Sequence, residues 1–329
     1  MAYRRVVQYG RIVTRAITCS SPPGNIGSSK INIKTFTSAS MPGLDFQCLE
    51  YEVKDKIANI KLNRPERMNA ITAGMTLELQ QAVEMANMDD SVKLIVLSGK
   101  GGNFCSGYDL KEFAEGDRNH PCNQEMPWDP YLDYRFMSRA TECYMSLWKS
   151  LKPVICKIDG VAIGGGSDMA LCCDITVMAE DAVIGYPPSR IWGCPTTAMW
   201  VYRVGMEKAK RILFTGELIR GSEAAKMGLI GEAVPAEKLE SAVDKLTSSM
   251  VTVPSNQLFF QKQVINQAIE QMGLFQTQRL ATIFDGMARH TPEGVLFQKR
   301  CQEVGFKKAV RERDSGAETV WSSLTKSKL

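Results

Sequence analysis

Histidine is nearly absent: His120 and His290 are the only two in 329 residues. A serine or cysteine hydrolase needs a nucleophile, a base and a group that orients the base. Ser167 and Cys105 therefore face a shortage of partners, and Ser167 has no GxSxG elbow around it. Long apolar runs are missing too, none approaching the roughly 18 residues that span a bilayer. The ten cysteines show no CxxC spacing, and Cys172-Cys173 fall in an apolar helical stretch. Buried free thiols in a reducing compartment are expected rather than bridges or zinc. There is no GxxxxGK[ST], and Gly99-Lys100-Gly101-Gly102-Asn103-Phe104 lacks the last glycine of GxGxxG, so neither familiar phosphate-binding loop is present.

Acidic residues are absent from one region. Residues 1–44 hold Arg4, Arg5, Arg11, Arg15, Lys30 and Lys34 and no Asp or Glu, so the net charge of +4 belongs to the leader and the body is near neutral. No basic stripe points to nucleic acid. The Arg- and Ser-rich first stretch resembles a mitochondrial presequence, and Ser327-Lys328-Leu329 spells a peroxisomal import signal. The expectation is a leader over 1–44, a tail over 311–329, and import into mitochondria, peroxisomes or both.

The body reads as alternating elements. Lys56–Asn63 alternates apolar and polar residues as a half-buried strand does, and a helix over Thr72–Asn87 stacks Met75, Leu79, Ala82, Val83 and Ala86 on one face. Leu94–Leu97 is a buried strand, Met137–Lys149 a helix, Val154–Asp159 a strand, Ser167–Cys173 a helix and Ile175–Ala179 a strand. This is an α/β layered core over 45–206. From 207 to 310 strand signals nearly vanish, and helical patterns follow one another between Gly216, Gly221, Pro235, Pro254 and Pro292.

Two loop-to-helix junctions carry the chemistry. In Gly160-Val161-Ala162-Ile163-Gly164-Gly165-Gly166-Ser167-Asp168 an apolar strand runs into three glycines and then a helix with an early carboxylate. Glycines there let a ligand approach backbone N–H groups that are unpaired at a helix start. The plain alternative is an ordinary connection with Asp168 as a dipole partner. Asn103-Phe104-Cys105-Ser106-Gly107-Tyr108-Asp109-Leu110 opens a second helix, with Asp109 as its plain cap if the turn has no other role. Two junctions offering one amide each are what an oxyanion hole for a thioester carbonyl requires.

These segments, with Leu62-Asn63-Arg64-Pro65-Glu66-Arg67-Met68-Asn69-Ala70 and Lys152-Pro153-Val154 through Cys173-Asp174-Ile175, resemble the enoyl-CoA hydratase/isomerase (crotonase) family over about Tyr51 to Phe306. The resemblance implies a spiral of ββα turns followed by a C-terminal helical trimerisation region, in a homotrimer or dimer of trimers. It implies an acyl-CoA substrate of fatty-acid metabolism, with coenzyme A as part of the substrate and no metal or redox cofactor. Carried over residue by residue, it assigns the amides of Ser106 and Gly165 to the thioester oxygen and Asp168 to proton transfer. Arg67, Met68, Ala70, Gly107, Tyr108, Asp109, Leu110 and Gly166 fall at substrate-contacting positions.

The acids depart from the family pattern. Typical hydratases place Glu where Asp168 stands and a second Glu twenty positions later, where this chain has Pro188. Dienoyl-CoA isomerases keep that later Glu and add an Asp eight residues beyond it, where this chain has Thr196. Glu142, Asp129, Asp133, Tyr131 and Tyr134 are candidates for a second group, with solvated charge and packing aromatics as the plain alternative. Arg190 is either an acyl-tail contact or a surface residue. Hydration of a 2-enoyl-CoA is the leading expectation; double-bond isomerisation and thioester binding without catalysis remain open.

Overall fold

The computed structural model describes residues 45–116, 120–122 and 124–315; the leader over 1–44 and Ser327-Lys328-Leu329 lie outside them. Among the described residues nine strands fall in two sheets. The larger runs in the order β1 (Leu49–Lys54), β2 (Ile57–Leu62), β3 (Leu94–Gly99), β4 (Val154–Ile158), β6 (Ile175–Ala179), β9 (Glu232–Val234). Only β1–β2 is antiparallel; the remaining pairs are parallel. The smaller sheet is β5 (Val161–Ile163), β7 (Val183–Gly185), β8 (Leu218–Arg220). The reading of β3 as a buried strand holds because Leu94–Leu97 is covered on both faces, as parallel strands require.

Successive turns of chain send one strand to the large sheet, a short one to the small sheet, and then a helix: β4, β5 and α4 (Gly165–Leu171) form one such turn. This is the expected spiral of ββα turns. Thr72 caps α1 (Ala73–Met88), its hydroxyl accepting from Met75 N–H at 3.1 Å. Helix α3 (Pro130–Lys149) starts seven residues before the apolar pattern suggests, because Asp129 caps it and Pro130 opens it.

The C-terminal third differs in detail from its sequence reading. The helical span α5 (Met199–Thr215) is broken at Gly205 (φ +75°), next to the expected boundary at 206, and β8 and β9 lie beyond it, each three residues long. Strands that short carry too little alternation to be recognised. They pair with β7 and β6, so the chain up to Val234 completes the two sheets. Helices follow: α6 (Gly221–Met227) between the strands, then α7 (Leu239–Val251), α8 (Ser255–Gln271), α9 (Leu274–Arg289), α10 (Pro292–Val304) and α11 (Phe306–Asp314). The helical pattern after Pro292 is broken at Gly305, whose φ of +80° no side chain adopts easily. Trp192, Ala114, Phe297, Cys301 and Ala309 form a second apolar cluster that fixes α10 and α11 over the mouth of the core.

Candidate active site

The site begins with a buried asparagine. Asn69 accepts from Arg64 N–H at 2.8 Å and donates through Nδ2 to the carbonyls of Lys100 and Asn103 at 2.9 and 2.8 Å. Met68 and Asn69 both have φ near +50°, a conformation this network holds in place. Arg67 and the half-exposed Met68 are thereby turned towards a cavity of about 750 Å³.

Across that cavity the second motif folds back on the first. Ile71 N–H donates to Gly107 C=O at 2.8 Å, and Asp109 N–H donates to Ile71 C=O at 3.0 Å. In such a parallel bridge the residue between the two bonded positions turns its own N–H and C=O the other way. That residue is Tyr108. Cys105 meanwhile bridges to Ala162 of β5, with Cys105 N–H on Val161 C=O and Ile163 N–H on Cys105 C=O. Gly107 makes the crossing: its φ is +92°, and a Cβ there would lie 2.9 Å from Ile163 C=O and 3.7 Å from Gly165 N.

The outcome corrects one expected donor. Ser106 lines the cavity, but its N–H is engaged by Met68 C=O at 3.0 Å. Gly165 is the first residue of α4, and its N–H has no acceptor among the described residues. The same holds for Tyr108 N–H, and the Tyr108 ring edge lies 2.9 Å from where a Gly165 Cβ would be. The free pair is Tyr108 and Gly165. The sequence reading placed the donor two residues early because it counted from the glycine turn, whereas the Ile71 bridge decides which amide is left over.

Arg67, Met68, Ala70, Gly107, Tyr108, Asp109 and Leu110 all line the cavity. Asp109 is chiefly an anchor: it accepts from Arg67 at 2.8 Å and Arg64 at 3.1 Å and caps α2 (Leu110–Phe113). Burial pushes its carboxyl up, but the two guanidinium groups outweigh this and hold it below the usual carboxylate range. Gly166 is not a lining residue; a Cβ there would strike Cys105 C=O at 2.5 Å, so it is a close-packing glycine.

Asp168 also departs from expectation. It is 2% exposed, is not among the cavity-lining residues, and accepts from the Thr197 hydroxyl at 2.8 Å. Burial pushes its carboxyl up to about 8, against the opposing bonds from Thr197 and the Thr196 amide. Pro188 does line the cavity, beside the glycine turn, 3.4 Å from where a Gly164 Cβ would stand.

The other named groups disperse. Asp129 is a helix cap, Glu142 pairs with Arg139 on the outside of α3, and Tyr131 is largely exposed. Arg190 is not a lining residue; it ties Thr215 C=O to Asp314. Asp133 is buried against Arg289 of α9, which also pairs with Asp285. Asp285 and Arg289 line the cavity, together with Phe113, Met137, Trp192 and Phe297. Sequence reading missed both, although an Asp and an Arg spaced i,i+4 on the face that carries Gln278, Ala281 and Thr282 was a visible signal of a buried polar stripe.

The enoyl-CoA hydratase/isomerase family model matches residues 52–297. The chain belongs to this family. A crystal structure of enoyl-CoA hydratase from Mycobacterium smegmatis superposes with a TM-score of 0.78 at 42% identity, covering 83% of this chain and 96% of that one. The Escherichia coli (strain K12) 2,3-dehydroadipyl-CoA hydratase is 28% identical over 258 residues, 75% of this chain and 94% of its own. A Dictyostelium discoideum protein named "Probable enoyl-CoA hydratase, mitochondrial" is 28% identical over 245 residues, 72% of this chain and 83% of its own. The crotonase fold and an acyl-CoA-processing enzyme of the hydratase/isomerase class are thus established.

Proposed function

We propose that this enzyme adds water across the double bond of a 2-enoyl-CoA while the amides of Tyr108 and Gly165 hold the thioester oxygen. One observation carries the reading: two backbone N–H groups from separate loops, without acceptors among the described residues, meet at the wall of one cavity. As water attacks C3, the π pair moves towards the thioester and charge collects on its oxygen. Each preorganised donor there lowers the barrier by about 3 to 4 kcal/mol. Arg67, Lys307 and Arg311 among the lining residues suit the phosphates of coenzyme A, and Phe113, Met137, Trp192 and Phe297 suit an acyl chain. The chemistry asks for no metal or redox group.

Pro188 favours a second reading. One base and two oxygen donors suffice to shift a double bond, with no second acid needed at position 188. Purified protein offered 2-enoyl-, 3-enoyl- and 3,5-dienoyl-CoA distinguishes them: turnover of the first is expected. Turnover of the others alone would make it an isomerase, and tight binding without turnover would make it a thioester-binding protein.

The proposed assembly is a homotrimer or a dimer of trimers. Phe260, Val264 and Ile265 on α8 and Ile283, Phe284 and Met287 on α9 face solvent in the single chain, and exposed apolar surface of this kind marks subunit contacts. Sedimentation should give three or six copies; a monomer would sink this part. The proposed destination is the mitochondrion, the peroxisome or both, supported by the acid-free leader and by the name of the Dictyostelium relative. Imaging tagged chains lacking either end tests it.

A further inference from the structure

We infer that Asp285, delivered from the C-terminal helices, is the carboxylate that exchanges protons with the substrate, in the place of the acid that the family supplies from the position of Pro188. The inference rests on the enoyl-CoA reading above. Its first support is position. A Gly164 Cβ would stand 3.4 Å from Pro188 Cγ and 3.9 Å from Gly107 Cα, so Pro188 abuts the glycine turn that presents Gly165 N–H. On its other side, a methyl on Gly193 would be 3.2 Å from Pro188 Cβ, 3.3 Å from Asp285 Oδ1 and 3.4 Å from the Tyr186 hydroxyl. Asp285 and Pro188 thus border the same point at Gly193, and Pro188 borders the glycine turn at Gly164. Both Asp285 and Tyr186 line the cavity.

The second support is how the carboxylate is held. Asp285 is 3% exposed. Its Oδ1 accepts from Cys194 N–H at 3.0 Å, which leaves that oxygen a further lone pair, and its Oδ2 is bonded to Arg289. Arg289 gives its other terminal nitrogen to both oxygens of Asp133 at 2.7 Å. Two carboxylates therefore share one guanidinium. Asp285 is fixed in direction without being fully neutralised, as a general base must be. Burial raises its carboxyl and Arg289 opposes the rise. A plain structural ion pair would not need a cavity face. Asp168, the family position, has no such face and is capped by Thr197.

In hydration, Asp285 takes one proton from water as the oxygen bonds to C3. The π pair of C2=C3 passes through C2 to the thioester oxygen held by Tyr108 and Gly165. The resulting enolate then collects one proton at C2 from protonated Asp285, so water adds across the bond and the enzyme returns to its starting charge. Arg289 and Asp133 are positioning residues in this account.

The test compares Asp285→Asn and Asp168→Asn with wild type. The readouts are kcat for crotonyl-CoA hydration, the dissociation constant for butyryl-CoA, and thermal unfolding. Asp285→Asn is expected to lose at least a hundredfold in kcat with butyryl-CoA binding within threefold of wild type, and Asp168→Asn is expected to lose less. An Asp285→Asn enzyme within threefold of wild type, or a larger loss in Asp168→Asn, would overturn the assignment while leaving the enoyl-CoA reading intact. Wild type that neither binds butyryl-CoA nor hydrates crotonyl-CoA would overturn that reading, and the assignment with it. If Asp285→Asn does not fold, Asp285→Glu keeps the charge but moves the oxygens by one methylene. It is expected to lower kcat at least tenfold with binding retained, and wild-type kcat in it would overturn the inference.

Discussion

The layered core and the C-terminal helices make their contributions to the cavity by different physics. The core acts through backbone: a glycine at φ +92° and a bridge to Ile71 leave two amides without acceptors among the described residues. The helices act through side chains: Asp285 and Arg289 from α9, Phe297 from α10, and Lys307, Arg311 and Arg313 from α11. Backbone donors depend on glycines and on local pairing, so their sequence pattern is short and dense. Side chains brought in from distant helices leave no such pattern, which is why the same cavity is half legible in sequence.

The largest expected effect tests the buried carboxylate of the core. Asp168 titrates near 3.8 when unfolded and about 8 when folded. The folded state holds the proton more tightly, so the stability linked to this group is complete below about pH 4 and is lost as pH rises towards 8. The loss is about 1.4 kcal/mol for each pH unit in that window. Thermal unfolding of wild type should weaken from pH 5 to pH 8, and Asp168→Asn should flatten that fall while keeping an acceptor for Thr197. Parallel curves for the two proteins would mean that Asp168 is ionised in the fold.

Next comes Gly165→Ala, which challenges the claim that the core works through its amides. A methyl there meets Ile71 Cδ1 and the Tyr108 ring edge at 2.9 Å. Tyr108 must shift, and the two donors lose their common focus. Turnover should fall about a hundredfold or more, near 3 kcal/mol for one misplaced donor. Retained kcat would break the oxyanion assignment. By contrast, Ser106→Ala leaves the backbone unchanged and should leave turnover near wild type.

What could be read in advance follows the same division. The strand at Ile175–Ala179 and the helix expected over Thr72–Asn87, found at Ala73–Met88, lay where periodicity put them, since each carries its own pattern over enough residues. Three-residue strands such as β8 and β9 do not. At the site, Gly165, Arg67 and Asp109 were legible from motifs. The shift from Ser106 to Tyr108 was not, because it depends on which amide a distant residue, Ile71, leaves unpaired. Asp168 was legible as a carboxylate near the glycines, but not that Thr197, from a loop 29 residues on, would turn it away from the cavity. Asp285 lies more than a hundred residues beyond those glycines, and only packing of α9 on α3 at Gly286 unites them: a Cβ there would be 2.6 Å from Asp133 Oδ1.

A smaller effect separates affinity from chemistry. Replacing Lys307 and Arg311, both exposed, with alanine removes two positive charges from the helical side of the cavity. KM should rise about tenfold, some 1.4 kcal/mol, with kcat nearly unchanged, and the rise should shrink as salt screens the phosphates. A fall in kcat instead would show that α11 takes part in closing the reacting end, and would blur the division between the two regions.

The smallest effect concerns the link between them. Arg190 follows β7 in the core and bonds Asp314 at the end of α11, with both side chains about a third exposed. Exposed pairs of this kind contribute roughly 0.2 to 1 kcal/mol, so Arg190→Ala should lower stability by less than about 1 kcal/mol. Arg190 also holds Thr215 C=O at 2.8 Å and packs where a Gly216 side chain would stand; the variant therefore loosens α11 at one anchor while Trp192 and Phe297 keep it seated. KM for an acyl-CoA should rise no more than about threefold. A larger rise, with unchanged thermal unfolding, would mean that this single surface tie sets the position of the basic rim, and that the helices are held to the core more by polar contacts than by their apolar cluster.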